Sequence, residues 1–159
     1  MPLDAIIHFE NATVFIEDHL VLSDVNFQVN KGEFVYLIGK VGSGKTSLIK
    51  TINAEHPLRE GEAFVTGFPL HSLKRKQVPF LRRKLGIVFQ DFQLMGDRTV
   101  SDNLAFVLKA TGWKNKEELG RRISEVLERV GLAVKGYKMP HQLSGGEQQR
   151  VVIARALLN

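Results

Sequence analysis

Apolar and polar positions alternate in short runs over the first third of the chain. Residues 6–9, 14–16 and 25–29 read as strands, the last with apolar side chains at every second position. Lys31-Gly32-Glu33 reads as a turn. Phe34-Val35-Tyr36-Leu37-Ile38 is then apolar without a break, which predicts a strand buried on both faces. A glycine-rich loop follows. After it, Leu48, Ile49 and Ile52 fall on one side of a predicted helix. Residues 63–66 and 85–89 read as two further strands.

From about Thr99 the spacing becomes helical. Asn115 is placed to cap a helix in which Leu119, Ile123, Val126, Leu127 and Val130 recur, with Gly131 to end it. A loop containing Pro140 leads to a last helix. The pattern is therefore an α/β part followed by a helical part, with no internal repeat and no low-complexity linker.

Composition narrows the function classes. No apolar run approaches the ~20 residues of a membrane helix, and the stretch 151–158 is interrupted by Arg155. The start, MPLDAIIHFE, has neither the basic nor the long apolar region of a signal peptide. The absence of cysteine excludes a disulfide scaffold and thiolate-bound metal, and fits a cytoplasmic protein. The net charge is +5, and Lys74, Arg75, Lys76, Arg82, Arg83 and Lys84 fall within eleven residues with no acid between them. That span reads either as a solvated segment or as a patch for lipid headgroups or nucleic acid. It contains one aromatic residue, Phe80, so it lacks the stacking platforms of a single-strand binder.

Gly39-Lys40-Val41-Gly42-Ser43-Gly44-Lys45-Thr46 matches the phosphate-loop pattern G-x-x-x-x-G-K-[ST]. It stands between a predicted strand and a predicted helix, the context in which such a loop works. The glycines permit positive φ and close approach to a ligand. Successive N–H groups at the helix start then face an anion. Lys45 supplies a charge able to reach β- and γ-phosphates, and the Thr46 hydroxyl can ligate Mg²⁺.

Ser144-Gly145-Gly146-Glu147 fits the capping box S-x-x-E. Capping alone does not call for two glycines in a first turn, where each costs up to ~1 kcal/mol. Bare N–H groups at a positive helix end suggest a second anion site.

At these residues a resemblance enters. LSGGEQQR, at 143–150, resembles the signature motif of the ATP-binding cassette (ABC) ATPases. The phosphate loop and the segment 78–106, with Gln90, resemble the same family over essentially the whole chain. The resemblance implies a P-loop NTPase core of α/β class, with N-terminal antiparallel strands and a helical subdomain. It divides the chain into an α/β ATP-binding subdomain at 1–92, a helical subdomain at 93–143, and the signature motif with its helix at 144–159. It implies that ATP and Mg²⁺ are held by Gly39, Lys40, Val41, Gly42, Ser43, Gly44, Lys45, Thr46 and Ser47, with Thr46 and Gln90 toward the metal. Phe15 is the candidate for stacking on adenine; otherwise it is a core residue of its strand. Gln90 is implied to approach the attacking water and to sense a membrane partner.

In this family two subunits pair head to tail, and the signature of one closes over the γ-phosphate held by the other. Ser144, Gly145 and Gly146 would then act across a homodimer, and Lys45, Gln90 and these three would form the catalytic set present here. Within the family the likeness is strongest to members that work in cell division with an integral membrane protein at the inner face of the cytoplasmic membrane. Lipoprotein-release and macrolide-export members, or a nucleotide-binding module without hydrolysis, are the alternatives. Nucleic acid is not an expected partner. The family pattern continues with a Walker B strand ending Asp-Glu, a D-loop and a switch histidine. The sequence ends at Asn159, and His8, His19, His56, His71 and His141 all precede the signature. The expectation is a chain that binds ATP without turning it over alone.

Overall fold

The structure, a computed structural model, describes residues 4–158. It falls into two compact units divided between Arg82 and Arg83. Among the described residues no helix is long and apolar enough to cross a membrane.

The first unit is built on an antiparallel sheet of order β2-β1-β3-β4, with β1 at Ala5–Ile16, β2 at His19–Asn30, β3 at Glu60–Val65 and β4 at Phe68–Pro69. The runs expected at 6–9 and 14–16 are one strand. Its polar interruption is a bulge: Asn11 has φ 46° and its N–H donates to Asn26 Oδ1 at 2.8 Å. The register shifts there, between Phe9 and Ala12. Phe9, Ala12, Val14, Ala63 and Val65 are buried, and Phe9 stacks on its cross-strand neighbour Phe27. The turn at Lys31-Gly32-Glu33 forms as expected. The Glu33 carboxylate accepts from Asn30 N at 2.7 Å and Asn30 Nδ2 at 2.9 Å.

Helix α1, Lys45–Ile52, buries Ser47, Leu48, Thr51 and Ile52. Ile49, expected on that face, is 41% exposed. The carbonyls just past the helix end are capped by Arg82, whose Nε donates to Asn53 O at 3.0 Å and Nη2 to Ala54 O at 3.3 Å. A cation suits the negative end of a helix. Arg82, an exposed residue at the end of the short helix α2, Val78–Arg82, is thus engaged in these bonds.

Two strand expectations fail. Phe34-Val35-Tyr36-Leu37-Ile38 is irregular, and Phe34 and Ile38 are 82% and 87% exposed. Residues 85–89 form no strand either, although half-buried and exposed positions alternate along them. An apolar run states what a segment would bury beside neighbours. It does not supply the neighbours, and a strand exists only where another backbone accepts and donates its hydrogen bonds. No described segment ladders with either run.

The second unit is helical: α3 at Val100–Ala110, α4 at Lys116–Arg129 and α5 at Gly145–Ala156. Their facing stripes make one core, in which Val100, Leu104, Leu108, Val126, Val151 and Ala154 are sealed from solvent. Each large aliphatic side chain so buried contributes about 1.5–3 kcal/mol. Helix α4 starts as its sequence predicts: Asn115 Oδ1 accepts from Glu117 N at 2.9 Å and from Glu118 N at 3.3 Å. It stops at Gly131, whose φ is 71°.

Candidate functional site

In the first unit, residues 39–46 wrap around the amino group of Lys45. Its Nζ donates to Gly39 O at 2.9 Å, Lys40 O at 2.7 Å and Ser43 Oγ at 3.4 Å. The ammonium therefore sits at the centre of the loop instead of extending into solvent. The loop's curvature depends on Gly42 and Gly44, at φ 79° and 85°. At Gly44 there is a second requirement: an added Cβ would lie 2.9 Å from the Leu22 side chain of β2. Any other residue there would be strained in its backbone and pushed from the sheet.

Gly44 stands at the N-cap of α1 and offers no side chain to the helix start, so no side-chain cap forms. The first-turn N–H groups of Lys45, Thr46 and Ser47 face the loop's end of the helix, where the macrodipole is positive. Gly39, Lys40, Val41, Gly42 and Ser43 are exposed, as is Thr46, while Ser47 is buried in the first turn. This set fits a polyphosphate: an uncapped helix start, a concave backbone that tolerates no Cβ at Gly44, and one gathered cation. Among the described residues no three His, Asp or Glu side chains group to hold a metal. A divalent cation at Thr46 would therefore rest on its hydroxyl together with phosphate oxygens, the mixed coordination that Mg²⁺ accepts.

Phe15 lies near the end of β1, paired in register with Leu20 and half-buried. The guanidinium of Arg59 stands over its ring, 5.8 Å from the centroid, and also donates to Asp18 Oδ1 at 3.1 Å.

In the second unit, Gln90 is exposed at a turn that follows residues 85–89. The next residues are held firmly. Phe92 and Gln93 both adopt left-handed backbone, with φ 58° and 48°. Arg155 of α5 donates to both of their carbonyls, at 2.9 and 2.7 Å. Asn103 of α3 secures the far side: its Oδ1 accepts from Met95 N at 2.8 Å, and its Nδ2 donates to the carbonyls of Met95, Arg98 and Thr99. Sequence reasoning missed both residues. Arg155 reads there only as a break in an apolar run, and Asn103 as one polar residue of a helix.

Ser144 caps α5. Its Oγ accepts from Glu147 N at 3.3 Å, and Glu147 Oε2 accepts from Ser144 N at 2.9 Å. The capping box is therefore real. Those hydrogen bonds, with Lys135 3.5 Å from the carboxylate, hold the Glu147 carboxyl below the usual carboxylate range. Nothing lies within 4 Å of a Cβ built on Gly145 or Gly146. Among the described residues no contact thus requires glycine at either position. Their bareness leaves the first-turn backbone open to a ligand or a second chain.

A sequence profile described as ABC transporter matches residues 22–159. The cell division ATP-binding protein FtsE of Mycobacterium tuberculosis is 46% identical over 138 residues, which cover 87% of this chain and 60% of that protein. FtsE of Escherichia coli strain K12 is 42% identical over 154 residues, covering 96% of this chain and 69% of that protein. The chain thus spans between 60% and 69% of the length of these relatives. Among solved structures, the dimeric structure of MJ0796, a bacterial ABC transporter cassette, is 34% identical with a TM-score of 0.84, over 96% of this chain and 69% of that one. A post-hydrolysis state of MJ0796 bound to ADP and Pi matches with the same TM-score, 0.84. With its profile matched over most of its length, its phosphate loop formed and its signature serine capping a bare helix start, the chain belongs to the ABC transporter ATP-binding family.

Proposed function

We propose that this chain is the ATP-gripping part of an FtsE-like ABC ATPase that works with an integral, FtsX-like membrane partner in cell division. The observation that carries the reading is the loop around Lys45, which delivers a cation, curved backbone and an uncapped helix start to one place. Identity of 42–46% to the FtsE proteins supports the cell-division reading.

Each residue then has a task. Backbone N–H groups of residues 39–47 cradle the phosphates. The Lys45 ammonium exchanges its carbonyl partners for β- and γ-phosphate oxygens. Thr46 would hold a bound Mg²⁺ and Gln90 would approach it, and the ion would supply neutralising charge to those oxygens. Phe15 offers a ring to adenine. Ser144, Gly145 and Gly146 contact the γ-phosphate of a second, head-to-tail copy. On the proposed subdivision at 1–92, 93–143 and 144–159, the nucleotide and metal tasks fall to the first segment and the task across the dimer to the signature helix. The protein acts at the inner face of the cytoplasmic membrane.

Binding and turnover separate in this chain. Phosphoryl transfer relies on a positioned water as well as on charge stabilisation. Within these 159 residues no group stands for the Asp-Glu pair or the switch histidine that the family uses. A general base typically contributes 10²–10⁴-fold, so the chain is expected to bind ATP and to release phosphate no faster than a Lys45→Ala variant. Inorganic tripolyphosphate should compete with ATP, because the grip is on phosphates. Phosphate release that exceeds the Lys45→Ala control, or ATP binding indifferent to tripolyphosphate, overturns this division of labour.

A further inference from the structure

The turn after Gln90 is expensive for its sequence. Two consecutive residues with side chains, Phe92 and Gln93, are left-handed. L-residues other than glycine avoid that region, because Cβ crowds the following carbonyl. The local bonds available are modest: Gln93 N donates to Asp91 O at 2.6 Å, and Gln93 Nε2 reaches Asp91 Oδ2 at 3.4 Å. What lies against the two strained residues is Arg155, one end of its fork on each carbonyl, at 2.9 and 2.7 Å.

A second contact joins the same helix to the other side of Gln90. At Gly86 an added Cβ would lie 2.5 Å from Ala156 O, so the segment leading into Gln90 runs directly against the end of α5. The last turn of α5 therefore touches the chain both before and after Gln90. Its N-cap and first turn are Ser144-Gly145-Gly146, about 15 Å from Arg155 along the helix axis.

We propose that Arg155 is the positioning residue for Gln90: its guanidinium fork pins the left-handed Phe92–Gln93 turn and makes the Gln90 loop one rigid piece with the helix that begins at Ser144. This rests on the roles proposed above for Gln90 and Ser144. A planar fork serves two carbonyls at once, which the single ammonium of lysine cannot do with the same geometry. The guanidinium is half-buried; its desolvation works against the cation and the neighbouring Asp91 carboxylate partly offsets that, while both bonds to carbonyls are charge-assisted. Asn103 fixes the loop to α3 from the far side, so Arg155 is the link that reports on α5.

The test is amide hydrogen exchange on the full 159-residue chain without nucleotide. The informative amides are Gln93, bonded to Asp91 O, and Met95, bonded to Asn103 Oδ1. In the wild type both should exchange through the same opening as the interior amides of α5. In Arg155→Met they should exchange at least about tenfold faster, the factor for one lost charge-assisted bond, while interior amides of α3, α4 and α5 change by less than about twofold. Arg155→Lys keeps stem and charge without the fork, and should resemble Arg155→Met. Adding Gln93→Gly to Arg155→Met should restore at least half of the lost protection on a logarithmic scale, because glycine accepts the left-handed backbone unaided. Unchanged loop exchange overturns the proposal. So does equal acceleration throughout the helices, which marks a general packing role, and so does failure of Gln93→Gly to restore protection. No nucleotide enters the experiment, so failed ATP binding would refute the functional reading and leave this result standing.

Discussion

The guanidinium of Arg59 lies 5.8 Å from the centre of the Phe15 ring, and the same arginine is paired with Asp18 at 3.1 Å. One side of the ring thus carries an exposed cation, and the ring itself is only half-buried. Phe15→Ala should weaken ATP by about 1–3 kcal/mol if a base stacks there, and should leave tripolyphosphate binding within about twofold. Competition titrations with both ligands separate the cases. Equal losses for both mark Phe15 as a sheet residue with no part in base recognition.

Ser144 and Glu147 give a pH dependence. The folded Glu147 carboxyl is held below its unfolded value by Ser144. Its contribution is therefore complete above the unfolded carboxylate pKa of about 4.3, and is lost as pH falls through the lower folded value. Urea midpoints measured at about pH 7 and about pH 3.5 should fall with acid, and Glu147→Gln should flatten that fall. Glu33 and Glu125 are shifted the same way, so the variant's curve keeps some slope. At neutral pH, Ser144→Ala should cost about 1 kcal/mol. An unaltered acid limb in Glu147→Gln would show that this capping box contributes nothing measurable.

Asn103 is 1% exposed and serves four backbone groups between Met95 and Thr99. Asn103→Ala leaves those groups short of partners and should destabilise the helical unit by about 1–3 kcal/mol. Asn103→Asp should cost more, since a carboxylate oxygen would face three carbonyls. Denaturant unfolding ranks the two. The reverse order would mean that water, not Asn103, satisfies the loop.

Local chemistry was the legible part of the sequence. The phosphate loop, the Asn115 and Ser144 caps, the Gly131 stop and the core stripe of α4 each depend on residues within about two helical turns of one another. They form as read. The runs at 34–38 and 85–89 failed as strands because pairing is decided by distant segments, which no local pattern contains. Ile49 was placed wrongly on α1 because Ser47 and Thr51, small and polar, take the buried side beside Leu48. Arg155 was invisible for the same reason as the strands: its partners lie more than sixty positions earlier, at 62 and 63 residues' separation. Of the basic span, Arg82 proved to be a helix cap, which charge counting cannot distinguish from a surface cation.

The central claim is that the loop at 39–46 grips ATP through Lys45. Calorimetric titration of Mg-ATP into the folded chain and into its Lys45→Ala variant tests it directly. Removing the ammonium should lower affinity by roughly 10- to 150-fold, the equivalent of about 1.5–3 kcal/mol for a hydrogen bond to a charged group. Equal affinity in two equally folded proteins would contradict the account.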